Sequence, residues 1–276
     1  MATAAAQPAP YRSYIEPNAD AEFPAEKGRY HLYVTYSCPF ACRALSARNL
    51  KGLEDVIGLS VAHPIYQKTK PDDPTDTHLG WTFTDPAKSA TYVGANGLEY
   101  PTEATIPDTV NGFKFVRDLY EKVDPTPRAF TVPVLWDKKK QTIVSNESAD
   151  ILRTLNTGFR ELVPSDVDLV PVALENELNE ANDGIVAEVA GNFFRSAFAP
   201  DEATKQAAIE ATRLALEKLD AQLATKRYLV GTSITEADVR LFHTLIRLDV
   251  GLTKENHEIL TKHANIVAVS LSCSES

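Results

Sequence analysis

The chain has 276 residues and a mass of 30.3 kDa, enough for one large domain or two modest ones. Lys and Arg number 28 against 38 Asp and Glu, a formal net charge of −10 with no basic block, which argues against nucleic acid and anionic lipid as partners. No apolar run approaches the ~20 residues of a membrane-spanning helix, the start MATAAAQPAPYRSY lacks the pattern of a secretory signal, and three Cys (Cys38, Cys42, Cys273) make no disulfide framework. These features predict a reduced, cytoplasmic, globular protein.

Residues 1–28 are rich in Ala, Pro and Glu and read as an arm over the body. Tyr30–Tyr36 is aromatic and β-branched, a buried strand. Ser37-Cys38-Pro39 follows at once, then FACRALSARNL with helical spacing; Pro in the first turn is what a helix start prefers. Val56–Val61 is the next strand. Residues 63–112 hold many Pro, Asp, Thr and Gly without a period and predict a long irregular excursion, the kind of segment that often serves function. Gly112–Lys122 reads as a helix with Phe115, Val116 and Leu119 on one face.

Val132-Pro133-Val134-Leu135-Trp136 is a strand opened by a proline, DKKKQ a polar turn, and Thr142–Val144 the returning strand. Ser145-Asn146-Glu147-Ser148 caps a helix over Ala149–Leu155. Strand, helix, strand, helix, hairpin and helix make a thioredoxin-like domain over residues 29–160. From residue 165 to 276 the pattern is all-helical, with long helices over Val170–Phe194 and Glu202–Leu223. Thr235 followed by Asp238 predicts a capping box ahead of an apolar helix. The fold class is therefore α/β plus all-α.

Three features carry the chemistry. Cys38 lies on the lip of a helix start, where unpaired N–H groups and the positive end of the macrodipole favour the thiolate, making it the candidate nucleophile. The Val132-Pro133 bond, if cis, exposes the backbone of Val132 beside that thiol, an edge on which an extended peptide can pair. Glu147-Ser148 at a helix N-terminus offers N–H groups and a hydroxyl to a carboxylate. A thiolate, a strand-like edge and a carboxylate cradle fit a short acidic thiol peptide, and glutathione is such a ligand. Cys42 is one helical turn from Cys38; the spacing is not that of a redox dithiol, so core packing is its expected role. The six His are scattered and no Cys or His spacing suggests a metal site.

The runs Ser37-Cys38-Pro39-Phe40-Ala41, Gly80-Trp81-Thr82-Phe83, Thr131–Asp137 and Ser145–Ser148 resemble, in this order, the glutathionyl-hydroquinone reductases. These are the Xi class of glutathione transferases, close relatives of the omega class. The resemblance covers roughly residues 10–248. It implies a homodimer of a thioredoxin-like and a helical domain that reductively removes glutathione from S-glutathionyl-hydroquinones. It implies Cys38 as the catalytic thiol and Phe40 beside it. Trp81 would stand in the loop that covers the tripeptide, Arg128 would anchor the glycyl carboxylate, Val132 would pair with the cysteinyl part, and Glu147 and Ser148 would hold the γ-glutamyl end. Glutathione enters as a substrate, a quinol-type or disulfide compound is the acceptor, and no metal is needed.

The chain departs from the family in three places. Phe40-Ala41-Cys42-Arg43 stands where the family has Trp-Ala-His-Arg. Phe194, in Asn192-Phe193-Phe194-Arg195, matches a family Tyr whose hydroxyl contacts the quinol oxygen in the acceptor pocket. After Leu248 the sequence no longer follows the family's further helices, so the helical domain reads as curtailed. The alternatives are an omega-like glutaredoxin or dehydroascorbate reductase using the same thiol, or a non-catalytic scaffold protein that keeps the glutathione site.

Overall fold

The computed structural model describes residues 9–251 and 262–266; Cys273 and most of the segment beyond Leu248 lie outside the described residues. The chain divides into two compact units, Met1–Ser165 and Asp166–Ser276.

In the first unit, β1 (Tyr30–Val34) has all five residues buried and leads through a short turn into α1 (Pro39–Leu50). β2 (Gly58–Val61) returns parallel to β1 with Val34 level with Val61. A Cβ on Gly58 would stand 2.3 Å from His31 Nδ1, so only glycine lets β2 lie this close. The excursion after β2 is more ordered than its composition suggests: β3 (His63–Lys68) pairs with β4 (Leu79–Thr82), and β5 (Thr91–Val93) with β6 (Glu99–Pro101), as two antiparallel hairpins. α2 (Val116–Val123) starts later than the sequence suggests. β7 (Val134–Asp137) and β8 (Thr142–Ser145) follow, then α3 (Ser148–Thr157), which packs against α1. The sheet order is β2-β1-β7-β8, with β7 antiparallel to both its neighbours. This is the thioredoxin-like arrangement. Asp137, fully buried where β7 turns, accepts from Arg29 Nη2 at 2.5 Å and from the Lys139 N–H at 2.8 Å, so one carboxylate ties β1 to the hairpin.

The second unit is helical among its described residues. The continuous helix expected over Val170–Phe194 is divided into a 3₁₀ turn (Val172–Leu174), α4 (Glu175–Gly184), a π-helical turn (Ile185–Ala190) and α5 (Gly191–Ala197). A Cβ on Gly191 would meet Val186 O at 2.9 Å, so the wide turn closes onto a glycine. α6 (Glu202–Leu223) and α7 (Glu236–Gly251) complete the unit around Leu178, Val189, Leu216 and Leu241. The capping box forms: Asp238 Oδ2 accepts from the Thr235 N–H at 2.9 Å and its hydroxyl at 2.8 Å, while Oδ1 takes the Leu229 N–H at 2.9 Å. Among the described residues, no helix is long and apolar enough to cross a membrane.

Candidate active site

Cys38 is the N-cap of α1 and Pro39 its first residue. The Cys38 N–H donates to Thr35 O at 3.2 Å and the Cys38 carbonyl accepts from the Cys42 N–H at 3.0 Å, which fixes the turn. Proline has no N–H to leave unsatisfied in the first turn. The Cys38 side chain caps nothing in its own helix. Its Sγ is directed instead at Val132 O, 3.7 Å away.

The reason for that approach is the register of the sheet. Tyr30 pairs with Asp137 and Tyr33 with Val134, so continuing the ladder sets Val132 level with Thr35, just below the Cys38 turn. The Val132-Pro133 bond is cis. A polar knot fixes the segment before it: Tyr120 Oη donates to Thr131 O at 2.8 Å, and Asn146 Nδ2 donates to Tyr120 Oη at 3.1 Å. Burial raises the Tyr120 phenol's pKa to about 12. Cys42 is buried, with Sγ 3.3 Å from Tyr36 O, where it packs beneath the turn.

Phe40, Arg128, Val132, Glu147 and Ser148 line one cavity of about 490 Å³, with Thr131 and Asn146 in the same wall. Five of the seven residues singled out for the thiol and its ligand thus converge, and Cys38 reaches the same wall through Val132. Phe40 is exposed, with the Arg43 guanidinium 4.8 Å above its ring. Arg128 pairs with Asp124, and its Nε donates to Thr126 O at 3.1 Å. Trp81 does not line this cavity: it stands in β4, edge-on to Tyr66 at 4.3 Å. Phe194 lies in α5 of the helical unit, its ring 5.2 Å from Phe193. A smaller cavity of about 320 Å³ within that unit is lined by Glu177, Glu188 and Lys218 among others, with no cysteine among the described residues that line it.

One local detail differs from the sequence reading. The N-cap of α3 is Glu147 itself, the helix starts at Ser148, and Glu147 Oε1 accepts from the Ala149 N–H at 3.2 Å. A glutamate can reach back to its own helix start, so part of the cradle is occupied by the protein's own carboxylate. Sequence reasoning also gave no role to Thr131 and Asn146, which line the cavity, or to Tyr11 and Tyr120, which hydrogen-bond to them. Asn146, inside the quoted Ser-Asn-Glu-Ser run, was the available signal. It missed Tyr66 as well, whose phenol pKa is raised first by burial and then by the charge of Cys38.

Residues 37–157 match the glutathione S-transferase N-terminal domain family, and residues 202–269 match the C-terminal domain family. The fold is that of the Xi glutathione transferase of Phanerochaete chrysosporium, with a TM-score of 0.80 and 36% identity over 96% of this chain and 83% of that one. The chain belongs to the Xi class of glutathione transferases. It is similar to the glutathionyl-hydroquinone reductase YqjG of Escherichia coli (strain K12), at 39% identity over 234 residues, 84% of this chain and 64% of the relative. It is also similar to an omega-like glutathione S-transferase of Schizosaccharomyces pombe, at 34% identity over 247 residues, 87% of this chain and 70% of the relative. The glutathione-bound structure of YqjG superposes with a TM-score of 0.80 and 33% identity over 95% of this chain and 81% of that one. The chain spans about two thirds of the length of the curated relatives it matches.

Proposed function

We propose that this Xi-class chain is a glutathione-dependent thiol transferase that reduces S-glutathionyl-hydroquinones. The observation that carries the reading is the Cys38 thiol, 3.7 Å from the Val132 carbonyl, beside a cavity whose other wall is Glu147 and Ser148. Glutathione lies in that cavity. Val132 pairs with its cysteinyl backbone, Glu147 and Ser148 hold the γ-glutamyl end, Arg128 takes the glycyl carboxylate, and Phe40 bounds it with aromatic surface. The relative YqjG is named a glutathionyl-hydroquinone reductase and has been solved with glutathione bound, which supports both parts of the reading.

The Cys38 thiolate attacks the glutathionyl sulfur of the substrate. The sulfur–ring bond breaks, its electron pair and a proton go to the ring carbon, and hydroquinone leaves as the Cys38–glutathione disulfide forms. A second glutathione thiolate attacks that disulfide, releasing glutathione disulfide and the Cys38 thiolate. The second glutathione is the reductant, so Cys42 takes no part. The protein works as a homodimer in the cytoplasm, a compartment whose reducing poise keeps such a thiol active.

A second reading, an omega-like transferase acting on dehydroascorbate or mixed disulfides, is favoured by Phe194, which has no hydroxyl to offer a quinol oxygen, and by the omega-like relative. Turnover on a glutathionyl-hydroquinone measured beside dehydroascorbate separates the two. The first reading predicts a preference for the hydroquinone conjugate; a preference for dehydroascorbate selects the second, and no turnover on either selects the scaffold.

A further inference from the structure

The N-terminal arm is laced to the elements that carry the glutathione cradle. The Ser13 N–H donates to Val144 O at 3.0 Å and the Asn146 N–H to Tyr11 O at 3.1 Å, so the arm runs as an additional antiparallel edge beside β8. The Tyr11 N–H donates to Asn146 Oδ1 at 3.3 Å, Arg12 grips Asp150 of α3 through Nε at 2.6 Å and Nη2 at 2.9 Å, and Tyr14 Oη donates to the same carboxylate at 2.8 Å. This lacing brings Ala9 and Pro10 into the wall of the cavity that holds Arg128, Glu147 and Ser148.

Tyr11 stands between the arm and Arg128. Its ring lies 6.1 Å from that of Tyr120, and the Arg128 guanidinium carbon lies 5.6 Å from its centroid. Arg128 Nη1 donates to Tyr11 Oη at 3.3 Å, while Nη2 pairs with Asp124 and Nε with Thr126 O. Each contact uses one N–H, and a guanidinium has five, so among the described residues one donor on each terminal nitrogen is left for a carboxylate. Asp124 is half exposed and competes for the same cation from the solvent side. The Tyr11 contact on the other terminal nitrogen keeps the guanidinium plane at the cavity wall.

We propose that the arm is part of the glutathione site and that Tyr11 is a positioning residue, setting Arg128 to pair with the glycyl carboxylate. The inference rests on the reading of the cavity as a glutathione site, and it adds a residue outside all four motifs of the resemblance. A role in folding alone would weaken every ligand equally; a role through Arg128 acts only on ligands that carry the glycine.

The test is calorimetric titration of the full chain with glutathione and with γ-glutamylcysteine, which keeps the thiol and the γ-glutamyl end but lacks the glycine. The wild type should prefer glutathione, and Arg128→Ala should remove that preference. Tyr11→Ala should lower glutathione affinity by about tenfold, the range for a lost hydrogen bond to a charged group, and leave γ-glutamylcysteine within about twofold. Tyr11→Phe keeps the ring over the cation and the backbone pairing, so it should fold even if Tyr11→Ala does not, and should cost glutathione about threefold. Equal weakening of both peptides, an unchanged preference in Tyr11→Phe and Tyr11→Ala, or no preference in the wild type overturns the inference while leaving glutathione binding standing. Failure of the wild type to bind either peptide overturns the reading of the cavity and the inference with it.

Discussion

At the end of β1 and again at the end of β8 the chain turns from strand into helix, and the two turns use their helix starts differently. Glu147 occupies the N-cap of α3 and closes it with its own carboxylate on the Ala149 N–H, while Asp150 in the same first turn is bound by Arg12 and Tyr14. Cys38 occupies the N-cap of α1, makes no cap bond, has a proline after it, and turns its sulfur to the carbonyl of Val132. A helix start that is capped and laced is held in place by the protein's own groups. One whose thiol caps nothing in its own helix leaves the positive end of the helix able to stabilise a charge on the sulfur. The start of α7 is closed more completely still, since Asp238 is fully buried and accepts three hydrogen bonds there.

The contrast is broken most severely at the sulfur. Cys38→Ser should reduce thiol transfer to the uncatalysed background while glutathione affinity, measured calorimetrically, stays within about threefold because the ligand's two ends are held elsewhere. Turnover near the wild-type value in Cys38→Ser would return α1 to the class of merely structural helix starts.

Closing groups should behave in the opposite way. Asp238→Ala leaves two buried N–H groups and a hydroxyl without their acceptor and should cost about 3 kcal/mol in denaturant unfolding. The per-molecule activity of the folded fraction should be unchanged. A loss below about 1 kcal/mol would mean that the Leu229 and Thr235 donors find other partners.

Acid separates the two turns of the first unit. His31 in β1 is buried against Ser60 Oγ at 2.8 Å, and burial lowers its pKa to about 4 from an ordinary 6.5. Ser60 donates onward to Pro107 O at 2.8 Å, so the imidazole gives Nε2–H to the serine. Above pH 6.5 the ring is neutral in folded and unfolded chains alike; below it the unfolded chain takes a proton that the folded chain refuses. Stability should therefore fall by about 3 kcal/mol between pH 7 and pH 4 through this group alone. Asp150 in the first turn of α3 has its pKa raised by burial but lowered overall by Arg12 and Tyr14, so its contribution is lost only at lower pH, as it protonates. His31→Gln should flatten the pH 7 to 4 decline in denaturant unfolding, and an equally steep decline would exclude His31 as its source.

The smallest expected effect lies in the cradle. Ser148→Ala should weaken glutathione binding by about 1–2 kcal/mol, the range for a hydrogen bond to a charged group. Since Glu147 already takes the Ala149 N–H, a larger loss would show that the hydroxyl, rather than the helix start, carries the carboxylate. Titration calorimetry reads the difference.

What was legible in the sequence follows the same division. The strands, α1, α3, the cis-proline segment and the Thr235–Asp238 box were readable because apolar periodicity, proline and short polar caps act locally. The hairpins β3–β4 and β5–β6 were not, since strands of three to six residues with mixed polarity lack a measurable alternation. The π turn at Ile185–Ala190 keeps helical spacing on both sides and widens only the backbone, so the sequence reads as one helix. At the site, Cys38, Val132, Glu147 and Ser148 were readable from their place at helix starts and before a proline. Tyr11 was not, because its partner Arg128 lies 117 residues away and only folding brings them together.

The central claim is that Cys38 takes the glutathionyl group onto itself, and intact-mass measurement after a single turnover tests it most directly. Mixing the protein with a glutathionyl-hydroquinone in the absence of free glutathione should add one glutathionyl group per chain, map it to the peptide containing Cys38, and release one equivalent of hydroquinone. Hydroquinone release without any adduct, or an adduct on Cys42 that persists in Cys38→Ser, would contradict the account.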